Sequence, residues 1–119
     1  MAGFSFTKAE RLSSKKSIQE LFDKGSSFYL HPIKVYFLKS DNSELSQLLI
    51  SVPKSNFKRA VDRNTLKRRI REGYRLNKTI LPSDKKFLIA YIYSAKEILP
   101  SAVVHQRVVS SLKKIAEKR

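Results

Sequence analysis

Hydrophobic residues recur along the chain with two different spacings, which predict helices in some segments and strands in others. The first helical pattern covers residues 14–24, where three apolar residues fall on one side of a helix: Ile18, Leu21 and Phe22. Gly25 follows as a stop signal, so we predict a helix over residues 14–24. Ser17 and Glu20 also have the spacing of a capping box, which would start the helix nearer Ser17.

Four further segments have the composition of β-strands. Residues 33–39 and 47–52 are rich in β-branched and aromatic side chains and flank a turn cluster at 40–43, so we predict that they pair as an antiparallel hairpin. Residues 27–30 could add a short strand at its edge. Residues 86–93 form a nearly continuous apolar run, which is typical of a strand in the interior of a sheet.

Two more helices are predicted in the second half of the chain. Residues 63–78 carry an apolar side next to a strongly basic one. After a break at Leu99-Pro100, Ser101 is the predicted cap of a final helix. The apolar side of that helix contains four residues: Val104, Val108, Leu112 and Ile115. The order helix, strand, strand, helix, strand, helix predicts an α+β fold in a single domain over residues 1–119.

Charge changes this picture, because basic residues are concentrated on the predicted middle helix. The 119 residues include 25 Lys and Arg against 10 Asp and Glu, a formal net charge of +15. Residues 54–78 hold ten of the basic residues and two acidic ones, a local excess of +8. On a helix, one group falls within about 140° of arc: Arg63, Asn64, Lys67, Arg68, Arg71, Arg75 and Lys78. This density predicts a polyanionic partner that relieves the repulsion, and the alternative is a solvated basic helix without a ligand.

The same sequence excludes several classes of function. With no cysteine, the chain has neither disulfides nor thiolate metal sites. Its longest uninterrupted apolar segment, Phe87 to Tyr93, is too short to span a bilayer, and the N-terminus lacks the apolar core of a secretory signal. His31 and His105 stand alone, and the acidic residues show no paired-carboxylate pattern. We therefore predict binding, with no catalytic or metal-ligating side chains and no association with a membrane.

The central block resembles the signature of a known family. Residues 52–72 read VPKSNFKRAVDRNTLKRRIRE. This is similar to the bacterial ribonuclease P protein subunit, which has a Val-x-Lys-Lys strand end, then Ala, a two-residue gap, Arg-Asn-Arg, and Lys-Arg followed by Arg-Glu or Arg-Gln. The resemblance extends over nearly the whole chain, because an early Arg11-Leu12, a first helix ending in Phe22-x-x-Gly25 and the later elements follow in the expected order.

This resemblance implies a fold, a function and partners. The implied fold is a two-layer α-β sandwich, with a mainly antiparallel sheet of about four strands, three helices and a left-handed crossover at the basic helix. The implied function is that of an endoribonuclease subunit: a catalytic RNA with bound Mg²⁺ removes the 5′ leader of precursor tRNA. The protein would be a cytoplasmic RNA-binding domain with flexible termini, monomeric when alone and without a cofactor of its own. Its partners would be the catalytic RNA and precursor tRNA.

The family pattern transfers, residue by residue, onto two sets of side chains. The resemblance implies that one set on the basic helix contacts the RNA subunit: Arg63, Asn64, Lys67, Arg68 and Arg71. It implies that a second set lines a cleft for the unpaired leader: Ile18, Phe22, Tyr36 and Lys54. Stacking on aromatic faces tolerates any base, which suits leaders that differ in sequence.

The chain departs from the family pattern at several of these positions. Thr65 stands where a third Arg is common, which removes a guanidinium contact unless Arg69 compensates. Ile18 stands where relatives can have an aromatic residue, which reduces the stacking surface of the cleft. One of two neighbouring lysines is missing beside Lys54. The two aromatic residues of the cleft could also be ordinary core residues.

Two other functions remain open at this point. A ribosomal or general RNA-binding protein, without a role in tRNA processing, would share the charge, the size and the lack of catalytic side chains. A free-standing nuclease would need its own acid, base or metal ligands, for which the sequence offers no pattern.

Overall fold

The structure, a computed structural model, describes residues 10–40, 45–82 and 84–117. Within them the chain forms helices α1 (Lys15–Lys24), α2 (Ala60–Asn77) and α3 (Ser101–Glu117), and strands β1 (Ser26–Leu30), β2 (Ile33–Ser40), β3 (Gln47–Ser51) and β4 (Lys86–Tyr93). This confirms the predicted α+β composition, including the short strand before His31. The predicted turn at 40–43 and the chain termini lie largely outside the described residues.

The sheet has the strand order β1-β2-β4-β3, which corrects the predicted hairpin. β2 is antiparallel to both β1 and β4, whereas β3 runs parallel to β4, so β2 and β3 are not neighbours. Adjacency in sequence favours the hairpin, but β4 is buried along nearly its whole length and takes the centre, where both faces are covered. The interior position of residues 86–93 is confirmed, and the pairing of 33–39 with 47–52 is wrong.

Helices cover both faces of this sheet. On one face, α2 and α3 form the main core with strand residues such as Val35 and Ile89, and the predicted apolar side of α3 is buried. α2 also makes the crossover from β3 to β4, as the resemblance implies; its left hand stays a prediction. On the other face, α1 adds partial cover, since Leu21 packs against Leu88 and Ala90 in a smaller cluster.

Both ends of α1 are determined by local chemistry. The Ser14 hydroxyl accepts a hydrogen bond from the Ser17 N–H at 3.3 Å, so the helix begins at Lys15 and the alternative start near Ser17 is wrong. Gly25 ends the helix with an extended φ of −74°, which any residue adopts. Glycine is needed for another reason: a Cβ would lie 2.4 Å from the Leu21 carbonyl oxygen and 2.8 Å from that of Phe37. Gly25 therefore lets the end of α1 lie directly against β2.

Candidate nucleic-acid interface

α2 divides into a buried half and a solvent-facing half, as the sequence predicts. Its buried residues are Leu66, Ile70, Gly73 and Tyr74, which face the main core. Gly73 allows close approach to α3, since a Cβ there would lie 3.3 Å from Val108 Cβ. The predicted basic residues lie on the remaining surface, where the structure divides them into three groups: one bound to backbone carbonyls, one paired with carboxylates and one without a protein partner.

Arg63 is held by the protein itself. Its Nη1 donates hydrogen bonds to the backbone carbonyls of Phe57 at 2.8 Å and Lys58 at 2.9 Å. These carbonyls belong to the loop that enters α2, and the Phe57 side chain is buried in the main core. Arg63 therefore fastens this loop to the first turns of the helix, a role that the spacing of charges did not reveal.

At the other end of the helix, the basic residues are paired with carboxylates. Arg75 Nη2 lies 2.6 Å from Glu72 Oε1, and this hydrogen bond lowers the pKa of the Glu72 carboxyl below its ordinary value. Lys78 Nζ lies 2.8 Å from Glu10 Oε2, where only 8% of the Glu10 side chain is exposed. These two cations are therefore largely neutralised within the fold, although the sequence places them on the same predicted arc as the others.

The middle of α2 keeps an open positive surface. The side chains of Lys67, Arg68 and Arg71 make no hydrogen bond or ion pair with any other residue in the described part of the chain, and Asn64 is exposed beside them. We call Lys67, Arg68 and Arg71 the cationic strip. Of the five residues that the resemblance assigns to the RNA subunit, four therefore have side chains without a protein partner among the described residues, and Arg63 is the exception.

Neither Thr65, which stands where the motif often has an arginine, nor Arg69, which could compensate for it, adds to the strip. Thr65 uses its hydroxyl to donate a hydrogen bond to the Val61 carbonyl one turn back, at 2.9 Å. Arg69 points to the α3 side of the helix, where its Nη1 donates to the Leu99 carbonyl at 2.7 Å. Arg69 therefore secures the loop that leads into α3 and does not compensate for the missing arginine.

A groove of about 310 Å³ runs along one side of the cationic strip, between α2 and β3. Lys67 and Arg71 line it together with Arg11, which the sequence did not single out for binding. Arg11 is placed there because residues 11 and 12 attach to the outer edge of β3, where the Leu12 N–H donates to the Leu48 carbonyl at 3.0 Å. Ser13 and apolar residues such as Leu49 provide the rest of the lining.

Three of the four residues assigned to the leader come together in a second feature, which we call the aromatic cleft: Ile18, Phe22 and Tyr36. The rings of Phe22 and Tyr36 meet edge to face, with centroids 4.7 Å apart, and 39% of Phe22 remains exposed. Ile18 and Tyr36 pack partly into the small cluster beneath α1. Lys34, missed by the sequence reading, places its Nζ 5.3 Å from the centre of the Tyr36 ring. The cleft therefore offers both an exposed aromatic edge and a cation.

Lys54 lies apart from this cleft. It is exposed in the loop that follows β3, and β4 separates β3 from the strand that carries Tyr36. The structure thus places Lys54 beyond the end of β3, two strands away from the strand that carries Tyr36.

The described residues 10–40, 45–82 and 84–117 contain no group of three or more His, Asp or Glu side chains that could share a metal ion. His31 Nδ1 lies 2.9 Å from the Tyr29 hydroxyl, and His105 packs against Gly73. Within the same ranges, no helix combines the length and the apolar character needed to cross a bilayer.

The chain matches a known protein family over most of its length. The sequence model of the Ribonuclease P family matches residues 6–116. A Ribonuclease P protein component of Porphyromonas gingivalis is 44% identical over 82 residues, which cover 67% of this chain and 60% of that protein. The chain thus spans about three fifths of the length of this curated relative.

Solved structures extend the likeness to the fold. The ribonuclease P protein of Thermotoga maritima superposes with a TM-score of 0.75 at 31% identity, covering 88% of this chain and 96% of that one. The Staphylococcus aureus ribonuclease P protein gives a TM-score of 0.73 at 27% identity, covering 92% of this chain and 97% of that one. The resemblance predicted from the central block is confirmed, and this chain belongs to the Ribonuclease P family.

Proposed function

We propose that this protein is the protein subunit of a ribonuclease P ribonucleoprotein, in which it binds the catalytic RNA and the 5′ leader of precursor tRNA. Removal of that leader would generate the mature 5′ end. The observation that carries the proposal is a cationic strip without protein partners next to an aromatic cleft. Leu49 joins the two features, because it lines the groove beside the strip and also packs in the cluster beneath the cleft.

The strip suits the RNA subunit. Arginine and lysine side chains that release counterions from phosphates supply most of the affinity of such interfaces, whatever the base sequence. Lys67, Arg68 and Arg71 are available for this purpose because no carboxylate in the described part of the chain pairs with them. In this proposal, Asn64 adds a hydrogen-bonding group and the free N–H groups of Arg63 add a further contact.

The cleft suits an unpaired strand. A single-stranded RNA can stack its bases on aromatic faces while cations follow its backbone, and Phe22, Tyr36 and Lys34 provide both. We infer that the leader lies here, with Ile18 as an apolar wall. Lys54 would contact RNA only beyond the end of β3, in the loop that leads to α2.

The scissile chemistry belongs to the RNA in this proposal. The Mg²⁺ ions that hydrolysis requires would be held by the RNA subunit, and the protein would bring the substrate to them as a cytoplasmic monomer that joins the RNA. Endonucleolytic activity would therefore be a property of the complex.

Reconstitution tests the proposal. Purified protein, the RNA subunit from the same genome and a precursor tRNA are combined at a low Mg²⁺ concentration at which the RNA alone cleaves slowly. We expect protein alone to leave the precursor intact, and protein with RNA to release an intact leader and a mature 5′ end. Cleavage by the protein alone would indicate a free-standing nuclease. Failure to stimulate that RNA would favour a ribosomal or general RNA-binding role.

A further inference from the structure

Tyr29 is the most exposed of the aromatic residues of the described sheet, and it lies on the same face as the aromatic cleft. In the register of β1 and β2, Tyr29 is the partner of Lys34, and side chains of directly opposed residues share a face. Lys34 and Tyr36 are two positions apart on β2, so they also share a face. Tyr29 is therefore a diagonal neighbour of Tyr36, at a typical Cα separation of about 7 to 8 Å.

The Tyr29 ring is exposed but held in place. Tyr29 is 53% exposed, and its hydroxyl oxygen lies 2.9 Å from His31 Nδ1 and 3.2 Å from Ser94 Oγ. Ser94 is itself fixed, because its N–H donates to the Pro32 carbonyl at 2.8 Å. A ring whose position is set before a ligand arrives loses little conformational entropy on binding. The arrangement is thus a preformed aromatic platform at the edge of the sheet.

A cation separates this platform from the cleft. Lys34 lies beside Tyr29 across the strand pair and extends its Nζ over the Tyr36 ring, 5.3 Å from its centre. The order along the face is Phe22, Tyr36, Lys34 and Tyr29. Alternation of aromatic faces with a cation matches alternation of bases with phosphates in an unpaired strand.

The platform also lies on the far side of the aromatic cleft from the cationic strip. β1 is at the opposite edge of the sheet from β3, and the cationic strip lies beside β3. A strand that leaves RNA bound at the strip and crosses Leu49 and Tyr36 therefore reaches Tyr29 last. Within the proposed function, on which this inference rests, we propose that Tyr29 stacks a leader base farther from the cleavage site than the base held at Phe22 and Tyr36.

Leader length provides the test. Precursor tRNAs whose leaders grow one nucleotide at a time are bound to the reconstituted holoenzyme, and the dissociation constant is measured for each. We expect the wild-type affinity to rise in two steps, first when the leader is long enough to reach the aromatic cleft and again when it reaches Tyr29. Tyr29→Ala should remove only the step given by longer leaders, about a fivefold loss, and leave the shorter leaders unchanged. Phe22→Leu should reduce the affinity for short and long leaders alike.

Matched variants separate stacking from other effects. Tyr29→Phe keeps the ring and should keep most of the step, so an equal loss in Tyr29→Phe and Tyr29→Ala would overturn the stacking role. Leu76→Ala removes an exposed apolar side chain from the end of α2 and should leave every step unchanged. If Tyr29→Ala keeps the full step while Phe22→Leu still weakens leader binding, the inference fails and the proposed function stands. If wild-type affinity does not depend on leader length at all, leader binding by this face fails as well.

Discussion

Arg63 and Arg68 lie on the same helix five positions apart, yet only the Arg63 guanidinium is bound by the protein. Arg63 Nη1 donates to two backbone carbonyls, at 2.8 Å to Phe57 and 2.9 Å to Lys58, whereas Arg68 is exposed without a partner in the described part of the chain. The two side chains carry the same charge, so the difference between them separates a structural role from an electrostatic one.

Alanine substitutions at these two positions should therefore behave differently. Arg68→Ala should lower the slope of log affinity against log salt for RNA by roughly 0.7 to 1, with an unchanged free energy of unfolding. Arg63→Ala should also weaken RNA binding, but it should in addition cost about 1 to 3 kcal/mol of stability, because two carbonyls lose a charged donor. Salt-dependent RNA titration and denaturant unfolding measure the two effects. Equal stability of both variants would show that the Arg63 hydrogen bonds contribute nothing to the fold.

The contact between Phe22 and Tyr36 leads to a prediction about substrate choice. Phe22→Leu keeps an apolar side chain but removes the ring, so binding of precursor tRNA should weaken by about fivefold, equivalent to roughly 1 kcal/mol of stacking. Binding of mature tRNA and of the RNA subunit should stay unchanged, and competition binding to the holoenzyme measures all three. An equal loss for precursor and mature tRNA would show that Phe22 acts on the fold and not on the leader.

Glu72 moderates the positive charge of α2, and its removal should have the opposite effect. Glu72→Gln keeps the size of the side chain but ends the ion pair with Arg75, which raises the net charge of this surface by one. RNA affinity should increase by a few-fold at low salt, and the gain should disappear at high salt. Glu20→Gln on α1 is a suitable control, because it removes an exposed carboxylate from an ion pair with Lys24 elsewhere. A gain of the same size in the control would attribute the effect to total charge and not to position.

Substitution of Gly25 should lower the free energy of unfolding for a reason that does not involve RNA. In Gly25→Ala the new methyl group would lie 2.4 Å from the Leu21 carbonyl oxygen, and backbone atoms cannot yield as a flexible side chain can. We expect about 1 to 3 kcal/mol of destabilisation in denaturant unfolding, with α1 displaced from β2. A variant as stable as the wild type would show that the end of α1 shifts without cost.

Most elements could be predicted from the sequence, because their patterns are local. The composition of residues 33–39 and the apolar run in 86–93 each identify a strand, and the stripe that starts at Val104 identifies a helix with its buried face. The pairing of strands could not be predicted in the same way. It depends on which strand has both faces covered, and residues 86–93 displace 47–52 from the neighbour that chain order suggests.

The candidate site shows the same limit at the level of single residues. Helical spacing identified the basic surface, but it could not tell which cations the fold uses itself. The partners of Arg63, Arg69 and Lys78 are distant in sequence or are backbone carbonyls, which carry no sequence signal. Lys34 was missed for a related reason, since the sequence does not show that the face of β2 bearing residues 34 and 36 stays partly exposed, where Lys34 Nζ lies over the Tyr36 ring.

The most direct measurement is the binding of the catalytic RNA to a variant in which Lys67, Arg68 and Arg71 are all replaced by alanine, over a series of salt concentrations. A control variant loses the same formal charge from exposed lysines elsewhere: Lys39, Lys96 and Lys113. We expect the cationic-strip variant to fold normally and to lose roughly 2 to 3 from the salt slope, while the control keeps nearly the wild-type slope. Equal slopes for the two variants would contradict the claim that this strip is where the protein meets RNA.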